Sequence, residues 1–116
     1  MADDVDNDFR IEYHGETVLV RLLAHELTMF HLPELRADVL SLLKDKPLRL
    51  LFDFTTTAYI DSSAIALLFK VQNEIVAAGG QMGVCGLRAG LRKVLQTVVR
   101  DGGIQFYDSA ADALNA

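Results

Sequence analysis

The chain has 116 residues, enough for one domain with one hydrophobic core and too few for two domains of ordinary size. Hydrophobic residues make up 51% of it and charged residues 23%, which is typical of globular and not of disordered proteins. The formal net charge of -5 argues against nucleic-acid binding, which needs a concentrated basic face. No apolar run approaches the roughly 20 residues of a membrane span, and the acidic start "MADDVDND" lacks the features of a secretory signal. We therefore expect a cytoplasmic protein without membrane contacts.

The first half of the sequence predicts a hairpin followed by a helix. Residues 1–8 are acidic and lack periodicity, so we expect a disordered tail there and one domain over residues 9–116. "FRIEYHGETVLVRLL" alternates polar and apolar residues on both sides of His14-Gly15, which predicts two strands and a short turn. "LPELRADVLSLLK" then places apolar residues at helical spacing and predicts the first helix.

The rest of the chain predicts alternating strands and helices. "LRLLFDF", residues 48–54, is a nearly continuous apolar run, which is typical of a strand covered on both faces. The further predicted elements are a helix over 62–78 ended by Gly79-Gly80, a strand over 81–85, a helix over 87–100 ended by Gly102-Gly103, a strand over 104–108 and a helix over 109–116. This alternation with short links predicts one α/β domain with a partly parallel sheet and helices packed on it.

Cysteine and histidine do not indicate redox or metal chemistry. The single cysteine, Cys85, rules out an internal disulfide, and its apolar surroundings in "QMGVCG" predict a buried, unreactive thiol. His14, His25 and His31 lie in a predicted turn and loop, and their spacing places no pair of ligands on one helical face. We expect no metal ion and no cofactor.

The strongest argument for catalysis rests on two carboxylates. Asp53 and Asp61 lie near the exit of the strand over 48–54, where α/β proteins collect active-site residues. However, the sequence has no phosphate-binding loop, no nucleophile elbow and no nearby histidine to complete a catalytic set. We expect no enzymatic activity, whereas a deep polar pocket beside both aspartates would favour an enzyme or a small-ligand binder.

Three polar residues, Asp61, Ser62 and Ser63, stand at the predicted start of the helix over 62–78. One of them suffices as an N-cap, which stabilises a helix by ~1 kcal/mol, so the trio exceeds what capping requires. A hydroxyl at a helix N-terminus is also a favourable place for a phosphate, because the helix dipole and the free N–H groups attract negative charge. Capping, protein contact and phosphorylation all remain open on these residues alone.

A helical projection separates the two hydroxyl groups. Ser62 shares the flank and outer side of the helix with Ala66, Phe69 and Asn73, whereas Ser63 points to the opposite flank. A stripe of small, aromatic and amide groups suits contact with another protein, and we expect Phe69 to be its exposed aromatic residue.

The stretch "LFDFTTTAYIDSSAIALL" resembles the signature of STAS domains, the family of bacterial anti-sigma factor antagonists. In that signature a strand ends in Asp, and a short loop, an apolar pair and D-S-S-G follow. The matching positions are Asp53, Tyr59, Ile60, Asp61, Ser62 and Ser63.

A second stretch, "LLAHELTMFHLPELRADV", is similar to the family's L-x-G-E-L loop and first helix at Leu23, Glu26 and Leu27. Two positions depart from the family pattern, because Ala64 and His25 stand where the family has glycine. An alanine removes backbone freedom at the first helical turn and adds a methyl group beside Ser62.

The resemblance implies a mixed sheet of four or five strands, helices mainly on one face, and a partner-switching role. In that role the unphosphorylated protein binds an anti-sigma factor, itself a serine kinase of the histidine-kinase-like ATPase fold, and so frees a sigma factor for transcription. Phosphorylation of Ser62 breaks the complex, and a serine phosphatase restores it. The alternative is a subunit that docks without switching in a larger assembly, such as a stress-signalling scaffold or a lipid-transport ABC complex.

The predicted partner-binding surface joins the start of the helix over 62–78 to the loop from His25 to Phe30. Its residues are Asp61, Ser62, Ser63, Ala66, Phe69, Asn73, His25 and Glu26.

Overall fold

The computed structural model describes residues 8–47, 49–98 and 103–116 of the chain. Most of the tail expected over residues 1–8 lies outside this part, as do Leu48 and residues 99–102 at the predicted end of the third helix. The elements in chain order are β1 (Phe9–His14), β2 (Thr17–Leu22), β3 (Glu26–Leu27), α1 (Leu32–Leu43), β4 (Arg49–Asp53), β5 (Tyr59–Ile60), α2 (Ser62–Ala77), β6 (Gln81–Cys85), α3 (Ala89–Val98), β7 (Ile104–Tyr107) and α4 (Ala110–Leu114). All the predicted strands and helices are present within the described residues, and the two-residue strands β3 and β5 are additional.

Five strands form one mixed sheet in the order β1-β2-β4-β6-β7. β1 and β2 are antiparallel and are joined at Gly15, whose φ of +64° suits a residue without a side chain. β2, β4, β6 and β7 are parallel, and a helix lies between each of them and the next. The predicted α/β class with a mixed sheet is confirmed.

The main core lies between this sheet and the helices α1, α2 and α3. Phe52 of β4 is 1% exposed and belongs to one buried cluster with Val20 of β2 and Val84 of β6. The helices contribute further buried residues, among them Leu35, Val39, Leu68, Val71, Ile75, Leu91 and Leu95. Three of the described helices therefore share one face of the sheet, as predicted.

The opposite face of the sheet is covered in part by α4. Leu19, Leu51 and Cys85 pack there against Ala113. Nη2 of Arg49 donates a hydrogen bond to the backbone oxygen of Ala113 at 2.7 Å, which fixes the end of α4 to the sheet. Because β4 is buried from both sides, its nearly continuous apolar sequence is explained.

The polar start of α2 lies at one edge of the sheet, where the parallel strands β2, β4 and β6 have their carboxyl ends. The segments that leave β2 and β4 at this edge pair with each other, because β3 and β5 form a second, two-stranded parallel sheet.

At its other end α2 stops at Ala77, and the backbone N of Gly80 donates to the oxygen of Ile75 at 2.8 Å. The predicted glycine stop is confirmed.

Candidate protein-docking site around Ser62

Backbone hydrogen bonds hold the loop that follows β2 against the segment that precedes α2. Glu26 of β3 is opposite Tyr59 of β5 in a parallel pairing. The backbone N of Ala58 donates to the oxygen of His25 at 2.8 Å. The loop from His25 to Phe30 therefore lies beside the start of α2, and the structure brings together the two segments that the sequence assigned to one surface.

Asp61 connects these two segments through its side chain. It is the N-cap of α2, in extended conformation, and its Oδ1 accepts a hydrogen bond from the backbone N of Ala64 at 3.0 Å. Its Oδ2 accepts a second hydrogen bond from the backbone N of Met29, also at 3.0 Å. Both carboxylate oxygens are thus engaged by backbone donors, which gives the aspartate of the trio a structural role.

The two serines lie in different surroundings, as the helical projection predicted. Ser62 is the first residue of α2 and is exposed. Ser63 is half-buried and lines a groove between α1 and α2. Ser62 is the more accessible of the two hydroxyl groups to another protein.

The predicted outward stripe on α2 is only partly exposed. Ala66 and Asn73 are exposed, whereas Phe69 is half-buried. The prediction of an exposed aromatic residue at Phe69 is wrong, because a helical projection gives the direction of a side chain and not how far neighbouring elements cover it. Ala66 also lines the groove that contains Ser63.

Three large apolar side chains near Ser62 are exposed instead. Phe30 is 87% exposed, Met29 59% and Tyr59 52%. Met29 and Phe30 follow β3, and Tyr59 precedes Asp61 by two residues, so all three lie next to the clamp that the two hydrogen bonds of Asp61 form between the loop and α2. Sequence reasoning included the loop up to Phe30 but missed this cluster. Its only signal was a pair of adjacent large apolar residues in a loop.

The second aspartate considered for catalysis, Asp53, is buried in a separate network. Its Oδ2 accepts from Nη1 of Arg21 at 2.9 Å, and its Oδ1 accepts from both the backbone N and the hydroxyl of Thr55, at 3.0 and 2.6 Å. Arg21 also donates to Glu12 at 2.6 Å. This hydrogen bond lowers the pKa of Glu12 and raises the pKa of Arg21. Asp53 and Asp61 therefore have different structural partners and do not form a paired acid and base.

The cysteine and two of the histidines considered for chemistry are either buried or close to a neighbouring polar side chain. Cys85 is buried, and this burial, followed by the nearby charge of Asp53, raises the pKa of its thiol to about 12, so the thiol is protonated and unreactive at neutral pH. Nε2 of His14 lies 3.1 Å from a carboxylate oxygen of Glu12, and Nδ1 of His31 lies 3.2 Å from the hydroxyl of Thr28.

Two further findings concern metal and membrane. In residues 8–47, 49–98 and 103–116, no group of three or more metal-binding side chains comes together. Among the same residues, no helix has both the length and the apolar character that crossing a bilayer requires.

Comparison with solved structures shows the fold. An anti-sigma-factor antagonist (STAS) domain protein from Planctomyces limnophilus is similar with a TM-score of 0.83 and 19% identity, over 93% of this chain and 95% of that one. The anti-sigma factor antagonist SpoIIAA in its unphosphorylated form is similar with a TM-score of 0.75 and 23% identity, over 90% of this chain and 92% of that one. SpoIIAA of Bacillus in its phosphorylated form also has a TM-score of 0.75, with 22% identity, over 92% of this chain and 96% of that one.

The family follows from a comparison of sequences. No curated protein sequence matches the chain significantly. A family model described as the STAS domain matches residues 9–113, which is most of the chain. The chain therefore belongs to the STAS domain family.

Proposed function

We propose that this protein is an anti-sigma factor antagonist that binds its anti-sigma factor through the face around Ser62. This docking face consists of the loop from His25 to Phe30, Tyr59, and the helix start Asp61–Ser63 with Ala66. The observation that carries the proposal is the exposed hydroxyl of Ser62 beside three exposed apolar side chains. Exposed apolar patches with a polar rim are typical of protein contact sites, and aromatic residues are enriched among binding hot spots.

Phosphorylation of Ser62 is the proposed off-switch. A phosphate adds roughly -2 charge directly beside Asp61, on the same face as the exposed apolar side chains of Met29, Phe30 and Tyr59. The N–H of Ala64, which could otherwise bind a phosphate oxygen, already donates to Asp61. The added charge would therefore have to be desolvated when a partner covers the face, and binding is weakened.

The family and the similar structures support the proposed partners. SpoIIAA is described as an anti-sigma factor antagonist and occurs in unphosphorylated and phosphorylated forms. We assign the same kind of cycle to this chain: an anti-sigma factor that is also a serine kinase of the histidine-kinase-like ATPase fold adds the phosphate, and a serine phosphatase removes it. The chain itself acts by binding and not by catalysis, and it regulates transcription in the bacterial cytoplasm.

The test is phosphorylation with the cognate anti-sigma kinase and ATP, followed by mapping of the modified peptide. Phosphate is expected on Ser62. Ser62→Ala should abolish labelling and keep the complex, because alanine adds no charge, while Ser63→Ala, the matched control, should be labelled as the wild type is. Phosphate on Ser63 or on the threonines at 55–57 would refute the assignment.

A non-switching subunit of a larger assembly is the alternative outcome. In that case the protein would co-purify with a large scaffold or an ABC transporter complex, and no kinase would label Ser62. Ser62→Asp separates the two cases further, because it should weaken a switching complex only partially, having one negative charge where phosphate has nearly two.

A further inference from the structure

A groove between α1 and α2 extends from Ser63 along the two helices. Its volume is about 340 Å³, and it is lined by Leu32, Arg36, Ser63, Ala66, Leu67 and Lys70. The leucines are buried, at 9% exposure for Leu32 and 6% for Leu67, whereas Arg36 and Lys70 are exposed. The groove therefore combines an apolar base with one cation from each helix.

Arg36 is available to a ligand in this groove. Among the described residues it takes part in no ion pair. The residues three and four positions away from it on α1 are Leu32, Pro33, Val39 and Leu40, and none of them is acidic. The chain has a net charge of -5, yet Arg36 has no acidic neighbour on its own helix face. This indicates that its guanidinium is available to an anion from outside the chain.

Lys70 is held only weakly by its own helix. Its Nζ lies 3.2 Å from a carboxylate oxygen of Glu74 one turn further along α2, and the two side chains are 45% and 46% exposed. An exposed pair at this spacing contributes little to stability, because water and salt screen the two charges. A carboxylate arriving in the groove can replace Glu74 at little cost.

We propose that this groove receives the side chain of a glutamate or aspartate from the partner protein. Arg36 and Lys70 act as its counterions, and the hydroxyl of Ser63 offers a further hydrogen-bond donor. The buried leucines and Ala66 contact the aliphatic part of the incoming side chain. Charge complementarity indicates a carboxylate side chain as the occupant. A guanidinium and an ammonium group at the rim of an apolar groove match a carboxylate on a short apolar stem.

The groove is continuous with the docking face. Ser63 follows Ser62 directly, and α1 begins two residues after Phe30. Ser63 and Ala66 belong both to the docking face and to the lining of the groove, so a partner that covers the docking face lies beside the groove. The inference deepens the proposed function and depends on it only for the identity of the partner, since the preference for a carboxylate is a property of this chain alone.

The preference can be measured without the partner, by nuclear magnetic resonance on the isotope-labelled full chain. Titration with a hexaglutamate peptide at low salt should shift the amides of Arg36, Ser63, Ala66 and Leu67, and an equal amount of hexaglutamine should not. Arg36→Gln and Lys70→Gln should each reduce these shifts severalfold. Lys93→Gln, an exposed lysine on α3, is the matched control and should leave them unchanged.

Three outcomes of the titration would overturn the inference: no shifts at millimolar peptide, shifts centred on α3, or shifts that Arg36→Gln leaves intact. Inorganic phosphate serves as a second probe. If it shifts the same amides as strongly as the peptide does, the groove is a general anion site and the proposed carboxylate specificity is wrong.

The same substitutions then test the complex with the anti-sigma factor. Arg36→Glu should weaken the affinity about tenfold, and more at low salt, while Lys93→Glu should change it less than twofold. Thermal melts of the free variants check that both are folded. If the anti-sigma factor does not bind the wild type at all, the proposed function fails while the peptide result stands. If it binds wild type and Arg36→Glu equally, the groove proposal fails and the function stands.

Discussion

Oδ2 of Asp61 accepts a hydrogen bond from the backbone N of Met29 at 3.0 Å, across 32 positions of sequence. The same carboxylate caps α2 through Ala64. One side chain thereby fixes the start of the helix that carries Ser62 to the loop that carries the exposed Phe30. These two hydrogen bonds of Asp61 add to the β3–β5 pairing in fixing the proposed docking face, so we expect stability and binding to be coupled at Asp61.

Asp61→Ala should lower the free energy of unfolding by about 2 kcal/mol. Loss of the N-cap accounts for about 1 kcal/mol and loss of the hydrogen bond to Met29 for about the same. Asp61→Asn keeps one carbonyl oxygen and should fall between wild type and Asp61→Ala. Urea denaturation measures both.

Ser109→Ala is the matched control for the cap. Oγ of Ser109 accepts a hydrogen bond from the backbone N of Asp112 at 3.1 Å at the start of α4, on the other face of the sheet. This variant should also lose about 1 kcal/mol of stability but should bind the anti-sigma factor as the wild type does. Equal effects of Asp61→Ala and Ser109→Ala on binding would show that the clamp does not shape the docking face.

Phe30→Ala should weaken the complex by roughly thirtyfold, since truncating an aromatic hot spot costs ~2 kcal/mol and each 1.4 kcal/mol is a factor of ten. The free protein should keep its stability, because this side chain is 87% exposed. Tyr13→Ala, which removes an aromatic residue that is 67% exposed on β1, is the control and should bind normally. Calorimetry of the wild type and of the variants Phe30→Ala, Phe69→Ala and Tyr13→Ala measures the four affinities. A larger loss of affinity for Phe69→Ala than for Phe30→Ala would show that the binding hot spot lies on α2.

The contrast between Phe69 and Phe30 shows what sequence could and could not predict about the site. Periodicity correctly separated Ser62 from Ser63, because a helix rotates neighbouring residues by a fixed angle. The exposure of a side chain depends on which neighbouring elements cover its flank of the helix. A local sequence pattern contains no information about those neighbours. The exposed aromatic residue therefore lay in the loop, where sequence has no period to analyse.

The fold was predicted more completely than the site. Every strand and helix of four residues or more was predicted, because each has a period or an apolar run of its own. β3 and β5 were missed, since two residues carry no period and their pairing joins Glu26 to Tyr59 across the chain. The groove beside Ser63 was missed for the same reason: Arg36 and Lys70 belong to different helices and meet only in the folded chain.

Gly86→Ala should destabilise the protein by at least about 2 kcal/mol. Gly86 has a φ of +72°, and an added Cβ would lie 2.8 Å from Oδ1 of Asp53 and 2.9 Å from the backbone N of Thr55. Left-handed backbone alone costs a residue with a side chain about 1–2 kcal/mol, and the close contacts add to it. Gly90→Ala is the opposite case, because a Cβ there meets nothing within 4 Å and lies in α3. It should be neutral or stabilise by up to about 1 kcal/mol, and thermal unfolding of both variants tests the pair.

Glu12 should make the stability of the protein depend on pH on the acid side. The hydrogen bond from Arg21 lowers the pKa of Glu12 below its ordinary value of 4.5, so the folded state binds this proton less readily than the unfolded chain does. The stabilisation is therefore fully present above pH 4.5 and is lost as the pH falls through the lowered pKa.

Glu12→Gln should unfold at a lower urea concentration than the wild type at pH 7. The curves of stability against pH for the two proteins should converge as the pH falls below 4. Glu16→Gln, at an exposed position of the same hairpin, is the control and should unfold at the same urea concentration as the wild type at pH 7. A gap between wild type and Glu12→Gln that stays constant down to pH 3 would show that the ion pair with Arg21 is not what stabilises the hairpin.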